Sequence, residues 1–216
     1  MRKRELYHFV LTHFQTTMPE VQSELNFDST FQLLVAVVLS AQCTDKRVNQ
    51  VTPALFTDYP TAEAMAMASP EVIYEYIKSI SYPNSKAKHL SDMAKILWKS
   101  YGGEVPQTAD ALKSLPGVGQ KTANVILSVA FGKAAMAVDT HIFRVSHRLG
   151  LVNANCSTPL SVEKELIKYI PKELIPKAHH WLLLHGRYVC TAHKPKCHEC
   201  ALKQACAFYK KNASVL

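Results

Sequence analysis

The sequence lacks the marks of several classes of protein. Its longest hydrophobic run, Leu33 to Leu39, is far too short to cross a bilayer. No secretory leader is evident, because Met1-Arg2-Lys3-Arg4-Glu5 leads directly into an amphipathic segment. A cytoplasmic chain with no membrane partner is therefore expected. No pair of alternating strands and no hairpin signal occurs, which argues against any sheet-based fold. Repeats of solenoid period and low-complexity tracts are absent as well. Acidic residues are in deficit, 17 against 25 Lys and Arg, and the formal net charge of +8 favours a polyanionic partner. Two nucleotide motifs also fail. Around Gly117 and Gly119, a G-x-G-x-x-G pattern needs glycine where Thr122 stands. A Walker loop needs Gly-Lys-Thr, and Gln120 separates Gly119 from Lys121.

What is present is a foldable, helical chain. Of 216 residues, 48% are hydrophobic and 19% charged, enough for a core and too little charge for disorder. Apolar residues recur at helical spacing from Arg4 to Phe14. Asp28-Ser29-Thr30 opens a helix through Leu39 that is apolar all round and so expected to be buried. Helices follow over 45–56, 61–68, 69–80, 85–101 and 109–114, then from about Gln120 to Phe131, Asp139 to Leu149, Ser161 to Ile170 and Ile175 to Val189. The expected fold class is all-α, with roughly ten helices and short loops.

Two stretches carry chemistry. In Leu115-Pro116-Gly117-Val118-Gly119-Gln120-Lys121-Thr122-Ala123, proline closes one helix and two glycines let the backbone approach a ligand. The next helix then offers unpaired N–H groups and a positive dipole end to an anion such as phosphate, with Lys121 beside them. An ordinary helix–helix turn with a surface lysine explains these nine residues equally well. The second stretch is Cys190, Cys197, Cys200 and Cys206, spaced C-x6-C-x2-C-x5-C. In an intracellular chain such cysteines are metal ligands sooner than disulfides. Zinc usually takes two separated C-x2-C pairs. One close pair flanked by two singles looks more like a cubane iron–sulfur site, with zinc as the alternative. Lys194 and Lys196 lie between the first two cysteines, where they can meet a phosphate backbone or offset the charge of the thiolates. Cys43 and Cys156 read as buried free thiols.

Taken together, these residues resemble one family. Leu115 to Lys121 is similar to a helix–hairpin–helix of the L-P-G-V-G-x-K type. Val138-Asp139-Thr140-His141-Ile142-Phe143-Arg144 is similar to the V-D-T-H-x-x-R signature of base-excision DNA glycosylases. Ser40-Ala41-Gln42-Cys43-Thr44-Asp45, and His185-Gly186-Arg187 before the cysteines, complete a likeness to the endonuclease III family that runs from the first helix to the last cysteine.

The likeness implies a two-lobed helix–hairpin–helix glycosylase fold with a C-terminal [4Fe-4S] cluster loop and a DNA cleft between the lobes. It implies a six-helix barrel domain over 23–133 and a cluster domain made of 1–22 plus 134–216. Lys121 matches the nucleophile, Asp139 the catalytic carboxylate and the four cysteines the cluster ligands. Gln42 matches a residue that fills the hole left by an extruded base. Gly117, Gly119, His141, Arg144, Lys194 and Lys196 are expected on DNA. The implied partner is double-stranded DNA with damaged bases or abasic sites, bound by a monomer located, in a prokaryote, at the nucleoid. One loop departs from the family pattern. Ser81-Tyr82-Pro83 stands where the family usually has Gly-Leu/Phe-Tyr, so Tyr82 takes the place of an apolar wedge.

The implied reaction is excision of an oxidised pyrimidine followed by strand cleavage. The damaged nucleotide is flipped out and Lys121 attacks C1′. Its amine must be unprotonated, which burial and a neighbouring helix N-terminus favour. Asp139 would stabilise the positive charge that grows on the sugar, although a plain N-cap is a rival role for it. A monofunctional glycosylase for alkylated bases, and a non-catalytic DNA-binding module with a structural metal, are the alternatives.

Overall fold

A computed structural model describes residues 1–212, and among them every regular element is a helix. The last four residues of the expected cluster domain, 213–216, lie outside the described residues. The chain forms two compact units, Met1–Gln22 with Gly132–Leu216, and Ser23–Phe131. It opens with α1 (Lys3–Thr17), which belongs to the first unit.

The second unit is an uninterrupted stretch holding α2 (Thr30–Ser40), α3 (Asp45–Asp58), α4 (Ala62–Ala66), α5 (Pro70–Ile77), α6 (Pro83–Tyr101), α7 (Ala109–Lys113) and α8 (Gln120–Val129). Its centre is α2. Every residue from Phe31 to Leu39 is buried, as the unbroken apolar run implies. Burying one such Leu or Val contributes about 1.5–3 kcal/mol. Small polar residues start the helices: Ser29, Thr44, Thr61, Ser69 and Thr108 each accept an N–H of the first turn. The break between α5 and α6 differs from the expected one. α5 stops at Ile77, and α6 begins at Pro83 because proline needs no N–H at the first helical position.

The first unit adds α9 (Thr140–Leu149), α10 (Pro159–Tyr169), a 3-10 turn (Lys172–Leu174), α11 (Ile175–Tyr188) and α12 (Ala207–Asn212). Helix α10 starts two residues before the expected Ser161, since Thr158 and Ser161 form a reciprocal cap with Pro159 between them. Helix α1 closes this core. Its Val10 and Phe14 are buried with Ile142, Val145, Leu149 and Trp181. Phe14 stacks on Trp181, whose indole N–H donates to the Met18 carbonyl at 2.8 Å. Lys3 forms an ion pair with Glu165 of α10, which ties the unit's two sequence segments together. Among the described residues, no helix is long and apolar enough to cross a membrane.

Candidate active site and cysteine centre

The Leu115 stretch folds as a four-residue turn between α7 and α8. The Val118 N–H donates to the Leu115 carbonyl at 3.1 Å, with Pro116 and Gly117 at the two central positions. Gly117 has φ +79°, and a Cβ there would meet His89 at 3.2 Å. Glycine is thus required both by the backbone and by the space. Gly119 is the N-cap of α8 and supplies no capping side chain. The first amides of α8 are therefore presented to an incoming acceptor, the arrangement that favours phosphate. Lys121 sits in that first turn. The burial expected for its amine is not met, because the side chain is exposed.

Gln42 and Tyr82 are the only described non-glycine residues with positive φ, 55° and 57°. Both are exposed, and Tyr82 is 64% accessible. Their segments touch: the Ser81 hydroxyl donates to the Gln42 carbonyl at 2.8 Å. The structure thus brings together the segments of Gln42 and Tyr82, the two residues expected to fill a base hole and to wedge the stack, which stand forty positions apart in sequence.

Asp139 caps α9, its Oδ1 accepting the Ile142 N–H at 2.8 Å. That occupies one carboxylate oxygen, and the reaction expected of it asks for the other. Asp139 and Lys121 belong to different units. One turn past the cap, Arg144 turns towards protein. Its guanidinium donates to the Cys190 carbonyl at 3.1 Å and the Gly186 carbonyl at 2.8 Å, and lies 3.2 Å from His141 Nδ1. These contacts give the half-buried Arg144 guanidinium a structural task within its own unit. Close packing of α9 on α11 demands Gly186, where a Cβ would stand 2.8 Å from the His141 Cβ.

The four cysteines line one cavity. Its walls also include Leu149, Val189, Pro195, Phe208 and Tyr209. All four are free thiols, and the loop that carries them is held by backbone bonds, such as the Lys196 N–H on the Val189 carbonyl at 2.9 Å. Burial first, and their neighbours second, push the Cys197, Cys200 and Cys206 thiols up. Such a crowd of thiolates needs a positive centre to be stable. Among the described residues, no three His, Cys, Asp or Glu side chains converge on one point as ligands of a single ion. The thiols surround a space instead. Lys194 and Lys196 are exposed on the loop.

Two residues of this centre had no role there in the sequence reading: Arg148, which it did not single out, and His185, which it used only as part of a motif. Arg148 donates to the carbonyls of Thr191 and Ala192 at 2.7 and 2.8 Å, approaches Cys190 Sγ at 3.5 Å, and stacks over Phe208 at 4.6 Å. Its own carbonyl accepts from the Cys206 thiol at 3.2 Å. It thereby holds the first and last cysteines at once. Its spacing of four from Arg144 was the available signal, since residues so spaced share a helix face. His185 is buried, with Nε2 3.9 Å from Cys200 Sγ, and burial pushes its pKa down to about 4, so it is neutral there.

Comparison with known proteins accords with this geometry. Residues 35–172 match the family model of the HhH-GPD superfamily base excision DNA repair proteins. Endonuclease III of Rickettsia conorii is 48% identical over 196 residues, 91% of this chain and 92% of that one. Endonuclease III of Escherichia coli K12 is 45% identical over 202 residues, 94% and 95% of the two chains. A solved structure of a trapped covalent intermediate of endonuclease III with DNA, an estranged-adenine complex, matches with a TM-score of 0.91. The identity there is 43%, over 99% of this chain and 100% of that one. The chain belongs to the HhH-GPD superfamily of base excision DNA repair proteins and, within it, to the endonuclease III family.

Proposed function

We propose that the chain excises oxidised pyrimidines from duplex DNA and then cleaves the strand 3′ to the abasic site. Glycosylase and abasic-site lyase activity is the common property of its family, and a relative has been trapped covalently on DNA. The observation that carries the reading for this chain is the amine of Lys121 beside an N-terminus capped only by Gly119. Phosphate on the α8 amides would set the backbone of a nucleotide next to that amine.

The Lys121 amine attacks C1′, and the base leaves with the electrons of the glycosidic bond. Asp139 stabilises the positive charge that develops on the sugar and assists the proton transfers. Opening of the sugar ring leaves a Schiff base on Lys121. The iminium acidifies C2′. Loss of that proton expels the 3′ phosphate, and water then releases the lysine. Gln42 and Tyr82 act before these steps, filling and propping the stack from which the nucleotide leaves. Gly117 and Gly119 lie along phosphate. Lys194 and Lys196 add charge from the cysteine loop, and His141 lies beside the strand.

Cys190, Cys197, Cys200 and Cys206 would hold a [4Fe-4S] cluster. That the four thiols line one cavity, with no three of them converging on a point among the described residues, supports a cluster over a single zinc ion. Bound there, it would supply a cross-link that holds the 190–206 loop. A brown protein containing iron and sulfide is expected, and a colourless zinc protein would overturn the assignment. Such a repair protein belongs in the cytoplasm, at the nucleoid.

The decisive experiment for the reaction is borohydride trapping. Wild-type chain with abasic-site duplex should yield a covalent complex, and Lys121→Ala should yield none. Binding without trapping in the wild type would refute the lyase.

A further inference from the structure

The segment 81–86 donates three hydrogen bonds to the carbonyls of residues 39–42. The Ser81 hydroxyl reaches Gln42 at 2.8 Å, and the Lys86 ammonium reaches Leu39 at 2.8 Å and Ala41 at 2.6 Å. Lys86 is 6% exposed, so its charge is buried at the C-terminal end of α2, where the helix dipole favours a cation. Each end of this bracket adjoins a strained residue. Positive φ is uncommon for glutamine or tyrosine. At Tyr82 it is less expected still, because the residue before a proline is biased to extended backbone. Strain of this kind persists only where the surroundings over-determine it. Here the surroundings are these three bonds.

We infer that Ser81 and Lys86 are positioning residues that fasten Gln42 and Tyr82 into one preorganised, two-pronged unit for opening the duplex. The inference rests on the DNA-repair reading of this site. The Ser81 bond is made by a side-chain hydroxyl, so glycine or alanine at this place could not make it. Without it, Gln42 and Tyr82 relax independently towards ordinary backbone, and fewer encounters present both prongs at once. The loss falls on nucleotides that must be turned out of a paired stack. Nucleotides already unstacked need no prongs.

The test compares borohydride trapping rates on two substrates, an abasic site in paired duplex and the same site in an unpaired bulge. Ser81→Ala should slow trapping on paired duplex by about fivefold, the size of one ordinary hydrogen bond. It should leave the bulge rate unchanged, and Ser81→Thr, which keeps the hydroxyl, should restore the duplex rate. A 2-aminopurine base opposite the lesion should report slower unstacking in Ser81→Ala. Equal slowing on both substrates, no slowing on either, or no rescue by threonine overturns the inference. Lys86→Met should repeat the pattern; if it fails to fold, the Ser81 pair decides alone. A wild-type chain that traps neither substrate refutes the lyase reading itself. A wild type that traps both, with Ser81→Ala indistinguishable from it, refutes only the coupling.

Discussion

Asp139 is asked to do two things, and two substitutions separate them. Its Oδ1 accepts the Ile142 N–H at 2.8 Å, and its negative charge is wanted on the sugar. Asparagine keeps the acceptor and loses the charge, while alanine loses both. Asn and Asp cap equally well, whereas replacing either by alanine costs about 1 kcal/mol. In a chain of 216 residues that is a fall in Tm of about 2–4 °C. Asp139→Asn should therefore melt with the wild type and Asp139→Ala a few degrees lower. Both should lose base excision by roughly 10²-fold, the usual cost of removing one charge-stabilising group. Calorimetry gives the first quantity, and single-turnover excision from an oxidised-pyrimidine duplex gives the second. Wild-type excision by Asp139→Asn would show that the carboxylate is a cap and nothing more. Equal melting of the two variants would show that the cap does not stabilise α9.

Three further outcomes follow from the first unit. Gly186→Ala should destabilise by about 1–3 kcal/mol, because its Cβ would press on the His141 Cβ at 2.8 Å and the Val145 Cγ2 at 3.1 Å; thermal unfolding checks this. With the proposed cluster in place, Arg148→Met should release iron to a chelator about tenfold faster, as followed by visible absorbance, because the loop loses the guanidinium's bonds to the Thr191 and Ala192 carbonyls and its stacking on Phe208. The Lys3 ammonium, and then Lys168, hold the Glu165 carboxyl below the usual carboxylate range. A lowered folded-state pKa stabilises above the unfolded value and ceases to do so as pH falls through the folded one. Glu165→Gln should thus lower Tm at neutral pH, and the gap should close as the pH is taken below the usual carboxylate range; a constant gap would count against the ion pair.

The helix starts were legible because their cause is local. Ser29, Thr44, Ser69 and Asp139 each precede an apolar-periodic run and each accept an N–H two or three residues on. So was the all-round burial of α2, written in its composition. What was not legible depends on partners distant in sequence. Lys121 read as buried because its chemistry asks for it, yet nothing near it in sequence covers it. Arg144 read as a DNA contact, and only folding brings it to the carbonyls of Gly186 and Cys190. Helix α12 follows the last cysteine and is too short for periodicity to announce it. The bond from Ser81 to Gln42 joins loops thirty-nine residues apart, and the sequence registers it only as a departure from the family pattern.

Helix α1 has a consequence for how the molecule is made. It is synthesised before the rest of its unit, yet its buried face is completed by α9 and α11, which emerge more than a hundred residues later. The second unit, uninterrupted from Ser23 to Phe131, can fold as soon as it leaves the ribosome. Leu6, Val10 and Phe14 cannot. At about 5–20 residues per second, their apolar stripe waits on the order of 10 s or more for its core. Through that interval α1 is the segment of the nascent chain most open to a chaperone or to a wrong partner. Mutations there should lower the yield of folded protein more than they lower the stability of what folds.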